Sequence, residues 1–214
     1  MAQVLIVGAS RGIGLETVKR ALAAGHTVRA FARTAGAIAI EDARLETVAG
    51  DALDPDAVAR ALDGVDAVIL TLGIAAGPEM VFKPVTLFSK ATRVAVDAMA
   101  AAGVKRLIAV TGLGAGDSRG KGGFLYNAVF FPLLLRRAYD DKDAQEWIIR
   151  KSGLDWVIAR PGLLTRAPAT GRYRVLTRPE DWRGGAISRA DVADFLVKQI
   201  DDDGYLGQTP LLIG

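Results

Sequence analysis

The sequence contains no cysteine and only one histidine, His26. The lack of cysteine excludes disulfide bonds, thiol nucleophiles and metal sites with cysteine ligands. A single histidine excludes a histidine-rich metal site, and its place between the first predicted helix and the second predicted strand favours a surface position. No basic segment with an apolar stretch behind it precedes the first apolar run, so we expect no cleaved signal peptide and a cytoplasmic location.

A strong excess of charge of one sign is also lacking, because 27 basic residues stand against 24 acidic ones. The basic residues are scattered, whereas nucleic-acid binding favours a concentrated basic stripe with interleaved aromatic residues. The acidic group Asp140, Asp141 and Asp143 offers no plausible set of metal ligands and predicts a solvated helix face. We therefore predict no nucleic-acid partner and no metal site.

One apolar stretch, residues 124–135, is too short to span a membrane and is interrupted by Pro132. We predict no membrane partner. The stretch fits a buried lead-in to a helix, an apolar pocket wall or an oligomer interface, and the sequence leaves these three open.

The length of 214 residues and the 50% share of hydrophobic residues predict one domain, residues 1–214. Continuously apolar runs alternate with helix-like segments, which is typical of a doubly wound parallel sheet of the Rossmann type with helices on both faces. The predicted strands are Gln3–Val7, Thr27–Ala32, Leu45–Ala49, Ala67–Leu70, Arg106–Val110, Trp156–Ala159 and Leu211–Ile213. The predicted helices are Ile13–Ala24, Pro55–Leu62, Leu87–Ala102, Ala128–Ser152 and Ala190–Ile200.

The most informative segment is Gly8–Gly14, which follows the apolar run Val4–Val7 and leads into a helix-like segment. A strand that turns through glycines into a helix leaves backbone N–H groups and the positive end of the helix dipole facing outward. The second strand closes a βαβ unit of about thirty residues, the size of a dinucleotide half-site. The spacing Gly-x3-Gly-x-Gly differs from the generic G-x-G-x-x-G, but its context predicts a pyrophosphate site.

Two segments break the alternation of strands and helices and are predicted to lie on the substrate side, residues 112–135 and 162–188. The first opens with a glycine-rich loop after a predicted central strand. Loops at the carboxyl ends of strands surround the ligand crevice in open α/β sheets. We therefore predict a mobile substrate-side loop at this point.

The segment Gly8–Gly14 resembles the nucleotide motif of the short-chain dehydrogenase/reductase superfamily. Residues 152–162 (SGLDWVIARPG) and Ile187–Ala193 are similar to two stretches of its atypical branch, which holds NmrA-like proteins and the biliverdin-reductase-B or flavin-reductase-like group. The matches occur in the right order along nearly the whole chain. The resemblance implies a Rossmann fold that binds a nicotinamide cofactor.

The resemblance also implies particular contacts. Asp51 would accept a hydrogen bond from the adenine amino group, with Ala52 and Leu53 beside the ring, and Thr71–Gly73 resembles the turn that passes under the ribose. The full set of implied cofactor contacts is Gly8, Ser10, Arg11, Gly12, Ile13, Gly14, Arg33, Asp51, Ala52, Leu53, Thr71, Leu72, Gly73, Thr111, Lys142, Pro161 and Gly162.

The residues after the second strand favour NADP(H) over NAD(H). Sites that prefer NAD place a carboxylate there to accept from the ribose 2′-OH, and Phe31–Thr34 contains no acid. Arg33 can pair with a 2′-phosphate through its planar guanidinium, and Arg11 in the glycine loop is placed to help. A solvated loop position for Arg33 and a surface position for Arg11 are the alternatives.

The superfamily's reductases use a Tyr-x3-Lys pair on a helix and a Ser or Thr after the fifth strand. Lys142 matches the lysine, which implies contact with the cofactor ribose, but Ala138 then stands where the tyrosine belongs. Tyr139 would point about 100° around the helix from the family position, so a proton donor and a packing residue both remain open. Thr111 matches the Ser/Thr position, which implies a hydrogen bond donated to substrate, with turn capping as the alternative.

Carbonyl reduction needs a positioned acid of suitable pKa. A flavin, quinone or conjugated tetrapyrrole can take its proton from solvent, because the hydride acceptor delocalises charge. The altered tyrosine register therefore favours an NADPH-dependent reductase of a flavin, quinone or similar planar acceptor. An NmrA-like redox sensor without turnover is the alternative, and a sugar or steroid dehydrogenase/epimerase the third. A small planar or carbonyl substrate is predicted, and a homodimer or a regulatory protein partner is left open.

Overall fold

The computed structural model describes residues 1–74, 84–121 and 136–214. Its strands are β1 (Gln3–Val7), β2 (Thr27–Ala32), β3 (Leu45–Ala49), β4 (Ala67–Leu70), β5 (Arg106–Val110), β6 (Asp155–Pro161), β7 (Leu163–Thr165), β8 (Arg174–Leu176), β9 (Ala186–Ser188) and β10 (Leu211–Ile213). Its α-helices are α1 (Gly12–Ala23), α2 (Pro55–Ala61), α3 (Leu87–Ala102), α4 (Arg136–Arg150) and α5 (Arg189–Lys198). None of these helices is both long and apolar enough to cross a membrane. The apolar stretch 124–135 and the predicted helix start at residue 128 lie outside the described residues.

The main sheet has the strand order β3-β2-β1-β4-β5-β6-β10-β8. All of its strand pairs are parallel except that between β10 and β8, which is antiparallel. The predicted doubly wound parallel sheet is therefore confirmed. The structure adds one antiparallel edge strand and a separate parallel pair, β7 with β9, none of which the sequence predicted.

The central strands are mainly apolar because helices cover both faces of the sheet, whereas the edge strand β3 is partly exposed. In β1, Val4 and Ile6 enter the core beneath α1 and α5. The alternating residues Leu5 and Val7 enter the core beneath α2, α3 and α4. Two cores thus explain why the runs are continuous instead of alternating between apolar and polar residues.

Local signals set most element boundaries. Six of the seven predicted strands have the predicted bounds, and β6 extends beyond its prediction at both ends. The helix α2 starts after Asp54, whose carboxylate accepts hydrogen bonds from the backbone N–H groups of Asp56 and Ala57. The helix α3 ends at Gly103, where φ is +74°, a conformation that glycine adopts without steric penalty.

His26 is buried, so the predicted surface position is wrong. Its Nδ1 accepts a hydrogen bond of 3.3 Å from the backbone N–H of Ala2, and its Nε2 lies 3.9 Å from the Asp201 carboxylate. The turn between α1 and β2 folds the imidazole against the start of β1. This is the amino end of the strands, opposite the predicted ligand crevice.

Candidate functional site

The predicted site residues share one edge of the sheet, the carboxyl edge, at which the parallel strands β1 to β6 end. Because these strands are parallel, the predicted segments that follow them lie at this same edge, and Tyr139 and Lys142 reach it from α4. The first residue of each group, in strand order, is Gly8, Arg33, Asp51, Thr71, Thr111 and Gly162. The fold thus assembles segments that are up to about 150 residues apart in the sequence.

The glycine corner between β1 and α1 is a tight turn in which Gly8 and Gly14 leave no room for a side chain. Gly8 has φ of +88°, and its N–H donates to the carbonyl of Phe31 at 2.9 Å. A Cβ on Gly14 would lie 2.2 Å from the Gly8 carbonyl oxygen. A Cβ on Gly12 would meet nothing within 4 Å, so the space in front of the helix start is open.

In the described part of the chain, the first backbone N–H groups of α1 have no side-chain acceptor at the helix start. Its N-cap residue, Arg11, makes no capping hydrogen bond through its side chain, and the first turn contains no acidic residue. By contrast, Asp54 caps α2 and Ser188 caps α5 through side-chain oxygens. The unpaired N–H groups and the helix dipole at this corner therefore suit a bound diphosphate, and the open space at Gly12 gives it room.

Next to this corner lies the segment predicted to meet the 2′-phosphate. The Thr34 hydroxyl donates to the Ser10 hydroxyl at 3.1 Å, which joins the end of β2 to the glycine loop. Arg11 and Arg33 are both exposed. In the part of the chain that the structure describes, neither guanidinium forms an ion pair. Two unneutralised cations thus lie at the adenine end of the predicted cofactor site.

The predicted adenine segment forms a short ordered turn. The Asp51 carboxylate accepts a hydrogen bond of 3.0 Å from the backbone N–H of Leu53. Ala52 is buried, while Leu53 exposes 41% of its surface, which is high for a leucine. The turn thus presents an apolar surface with a carboxylate beside it, as the adenine prediction requires.

The predicted ribose turn is held from within the sheet. The Thr71 hydroxyl donates to the carbonyl of Val7 at 2.9 Å, so this side chain faces β1 instead of a ligand. The backbone of Thr71 approaches the glycine corner so closely that a Cβ on Gly8 would lie 3.0 Å from its carbonyl oxygen. Leu72 packs on the core, and Gly73 leaves open space. Any ligand contact at this turn is therefore made by Leu72, Gly73 or the backbone.

At the end of β6, Pro161 and Gly162 adjoin the loop after β5, since the Leu113 N–H donates to the Pro161 carbonyl at 2.9 Å. A Cβ on Gly162 would lie 2.3 Å from the Gly185 carbonyl oxygen. The glycine is thus required by packing against the strand that precedes α5, whether or not a ligand is bound.

The three predicted catalytic residues meet at the end of β5. Lys142 Nζ lies 3.5 Å from the carbonyl oxygen of Val110, directly before Thr111. A Cβ on Gly112 would lie 2.7 Å from the Tyr139 hydroxyl oxygen, so Tyr139 reaches the same strand end despite its register. The two helix residues reach one strand because positions i and i+3 of α4 share a face.

Lys142 occupies an apolar niche at this strand end. Its Nζ lies 4.1 Å from the centre of the Phe88 ring. Burial lowers the pKa of Lys142 to about 8, while the charges of Glu146 and Asp141 oppose this shift. Asp141 is itself buried and accepts a hydrogen bond of 2.8 Å from the Phe88 N–H, so its predicted solvated position is wrong. It caps the first turn of α3, a contact between distant segments.

Beneath these residues lies a buried ion pair that the sequence analysis did not single out. Arg160 is fully buried, and its Nε and Nη2 donate to the two oxygens of Glu146 at 2.9 and 2.6 Å. Burial opposes its charge, but hydrogen bonds and the charges of Glu146 and Asp117 raise the pKa of Arg160. A charged residue in the apolar strand β6 was the one signal in the sequence, because a buried charge requires a partner.

This pair fixes the hydroxyl of Thr111. Thr111 Oγ1 is buried and donates to Glu146 Oε1 at 2.8 Å. A hydroxyl has one hydrogen and two acceptor lone pairs, so Thr111 can offer a ligand only a lone pair while this bond persists. The donor role that the resemblance implies would require the bond to Glu146 to be exchanged for one to substrate.

The described part of the loop after β5 is anchored to α4 by charge. The backbone N–H of Gly116 donates to Asp143 at 2.6 Å, and Arg119 pairs with Asp143 at 2.6 Å. Asp117 Oδ1 lies 2.6 Å from Nη1 of the buried Arg160. The sequence predicts a mobile loop here, but these contacts tie residues 116–119 to the helix and strand beneath them.

Comparisons with known proteins identify the family of the chain. A family model described as NAD(P)H-binding matches residues 8–203. YhfK of Bacillus subtilis strain 168, an uncharacterized sugar epimerase, is 30% identical over 207 residues, or 94% of this chain and 88% of its own. ChuY of Escherichia coli O157:H7, an anaerobillin reductase, is 29% identical with a TM-score of 0.80, covering 99% of this chain and 96% of that one.

A more distant match supports the fold alone. A wide-type short-chain dehydrogenase/reductase from Veillonella parvula DSM 2008, solved in complex with NADP, is 16% identical with a TM-score of 0.80. The match covers 100% of this chain and 94% of that one. The family model, which matches residues 8–203, and the 30% identity to YhfK show that the chain belongs to this NAD(P)H-binding family.

Proposed function

We propose that this protein is an NADPH-dependent reductase that passes hydride to a flavin, quinone or similar planar acceptor. The observation that carries the proposal is the combination of an uncapped α1 start with Arg11 and Arg33 beside it, which form no ion pair with any described residue. The anaerobillin reductase ChuY, at 29% identity over nearly the whole chain, supports a reductase of this kind.

The preference for NADP(H) follows from charge. Arg33 and Arg11 flank the Ser10–Thr34 hydrogen bond, and residues 31–34 contain no carboxylate that could accept from a ribose 2′-OH. A 2′-phosphate would gain charge-assisted hydrogen bonds from these guanidinium groups. An unphosphorylated ribose would find no acidic partner at this point.

The proposed acceptor class depends on which groups at the end of β5 can donate a proton to the substrate. Bound NADPH supplies a hydride, and reduction of a flavin or quinone needs that hydride plus one proton, with NADP⁺ as the other product. Solvent can supply this proton. The Thr111 hydrogen is donated to Glu146, and Tyr139 reaches this strand end from a position one residue away from that of the family tyrosine, so among the described residues no tyrosine occupies the family position.

Two alternatives have observations in their favour. The occupied Thr111 hydroxyl also suits an NmrA-like sensor that binds dinucleotide without turnover. The position of the Tyr139 hydroxyl beside Gly112 suits a sugar or steroid dehydrogenase/epimerase, and YhfK is named a sugar epimerase.

The test measures NADPH oxidation with FMN, menadione and a panel of carbonyl compounds, for the wild type and Tyr139→Phe. Oxidation with FMN or menadione that survives the substitution supports the reductase. Tight NADPH binding without any oxidation supports the sensor, and carbonyl turnover that Tyr139→Phe abolishes supports the third function.

The cofactor preference is tested by titration with NADPH and NADH. Arg33→Ala removes hydrogen bonds to a charged group, which contribute about 1.5–3 kcal/mol, so NADPH affinity should fall roughly 10- to 100-fold. NADH affinity should stay the same. Arg93→Ala, on the exposed side of α3, removes the same charge elsewhere and is the control. Equal NADPH affinity of Arg33→Ala and wild type would refute the assignment.

A further inference from the structure

The segment from β7 to the start of α5 carries an unusual surplus of positive charge. Residues 162–189 contain six arginines and two acidic residues, Glu180 and Asp181. Within the described residues, ion pairs involve arginines elsewhere in the chain but none of these six. The six are Arg166, Arg172, Arg174, Arg178, Arg183 and Arg189.

Two of these arginines border a cleft. An open cleft of about 330 Å³ lies between β7, β9 and the first turn of α5, with Ile187 and Ala186 among its apolar lining residues. Arg172 lines it, and its only described hydrogen bond is made by its backbone N–H. Arg189 Nη1 donates to the carbonyl of Thr165, another lining residue, at 2.8 Å, so its other guanidinium donors remain available.

The one acid in this cleft is already occupied. Asp191 is 2% exposed and accepts hydrogen bonds from Thr170, Gly171 and Ser188 at 2.8–3.1 Å. Burial opposes its ionisation, but the bonds from Gly171, Ser188 and Thr170 lower the pKa of Asp191 overall. Asp191 thus fixes the turn that leads into Arg172, and its acceptor sites are occupied by neutral donors.

A second cleft shows the opposite arrangement. It has about 370 Å³ and lies between β3 and α2, with Arg29 in its wall. The Arg29 guanidinium donates to Glu46 at 2.6 Å and to the carbonyls of Ala61 and Asp63. The protein itself thus supplies acceptors to the Arg29 guanidinium, whereas residues 1–74, 84–121 and 136–214 supply no hydrogen-bond acceptor to that of Arg172.

The cleft beside Arg172 belongs to the ligand side of the molecule. The strand β7 follows β6 after Gly162, at the carboxyl edge where the cofactor and catalytic residues also lie. A ligand in the cleft would therefore approach from the same side as the proposed acceptor.

We propose that this cleft binds an anionic substituent of the acceptor, a carboxylate or a phosphate, through Arg172 and Arg189. The inference rests on the proposed reductase function and narrows its substrate class to planar acceptors that carry negative charge. The apolar lining would hold the carbon skeleton next to the anion, and the guanidinium fork would bind two of its oxygens.

The test compares two flavins that differ only in a phosphate, FMN and riboflavin, in binding and in NADPH-dependent reduction. Arg172→Gln should lower the ratio of FMN to riboflavin, in both affinity and kcat/KM, about tenfold, the loss of one charge-assisted contact. Arg183→Gln removes an equal charge from the same segment, but its guanidinium lies on the Asp181 carbonyl, outside the cleft. It should leave the ratio unchanged.

A second comparison tests the cleft with carboxylates in place of the phosphate. It uses biliverdin and its dimethyl ester, in which the carboxylates are esterified and uncharged.

The outcomes separate this inference from the proposed function. If NADPH is oxidised with none of the acceptors, the reductase function is refuted. The binding affinities for FMN and riboflavin would still test the cleft. The inference is overturned if wild type prefers neither FMN over riboflavin nor biliverdin over its ester. It is also overturned if Arg183→Gln shifts these preferences as much as Arg172→Gln does.

Discussion

Replacement of Glu146 by glutamine tests the pair on which the catalytic end of the site depends. The change keeps the shape of the side chain and removes its charge, so the fully buried Arg160 loses its main partner. Removal of one member of a buried pair typically destabilises a protein by about 3–5 kcal/mol, because the other charge stays uncompensated. We expect a loss near the lower end, since Asp117 still contacts Arg160 at 2.6 Å.

The matched control is Asp117→Asn, which removes another carboxylate from the same arginine. The Asp117 side chain is 58% exposed, and exposed pairs contribute at most about 1 kcal/mol. Both variants also lose a contact with Arg150, at 3.7 Å for Glu146 and 3.9 Å for Asp117, so that loss cancels in the comparison.

Urea unfolding measures the difference. With slopes of about 1–3 kcal/mol/M, Glu146→Gln should lower the unfolding midpoint by on the order of 1 M or more, and Asp117→Asn by a fraction of that. A double-mutant cycle with Thr111→Val should give a coupling of about 0.5–3 kcal/mol, because Thr111 and Glu146 share a hydrogen bond. Equal losses for the two single variants, or zero coupling to Thr111, would refute the account of this pair.

Two further predictions concern Lys142 and the glycine corner. Lys142 has a pKa near 8 in the folded protein against an ordinary value of 10.5, so the unfolded chain binds more protons between these values. The free energy of unfolding should therefore rise from about pH 8 to about pH 10.5, and Lys142→Met should lack this rise. If the free energies of unfolding of wild type and Lys142→Met changed in parallel with pH, the burial of the Lys142 ammonium group would be contradicted. Gly14→Ala should unfold or severely destabilise the protein, since its Cβ would lie 2.2 Å from the Gly8 carbonyl. Gly12 has φ of +60° and open space around it, so Gly12→Ala should lower the free energy of unfolding by only about 1–2 kcal/mol. Its main effect should be weaker dinucleotide binding. A Gly12→Ala protein that binds NADPH like wild type would contradict the diphosphate site.

The main sheet could be predicted because its strands carry a local signal. The strands β1, β4, β5 and β6 are buried over most of their length and therefore carry mainly apolar residues, which is the local signal. The strands β7, β8 and β9 have three residues each and are partly exposed, so no such run exists. Their pairing is set by contacts between distant segments, such as Gly162 against Gly185, which a local pattern does not contain.

The site divides in the same way. The glycine corner depends on neighbours in the sequence, so its tight turn could be predicted from its glycines. The contacts of Glu146 with Arg160 and Thr111, and of Asp141 with Phe88, join segments that are 14 to 53 residues apart. A sequence contains only a hint of such contacts, namely a charge in a place where burial is expected.

Charge is used in two different ways along the carboxyl edge. At the centre, the buried Arg160 is paired with Glu146, and a buried pair is rigid because either partner alone would be costly. At the two outer positions, Arg33 beside the glycine corner and Arg172 beside β7 are exposed and without an ion pair among the described residues. The charge of an exposed arginine is hydrated, so leaving it without an ion pair costs little free energy. Its guanidinium can therefore exchange water for a bound anion. This distribution of charge is the basis of the two proposals, that Arg33 binds the phosphate of a phosphorylated dinucleotide and that Arg172 binds the anionic group of a planar acceptor.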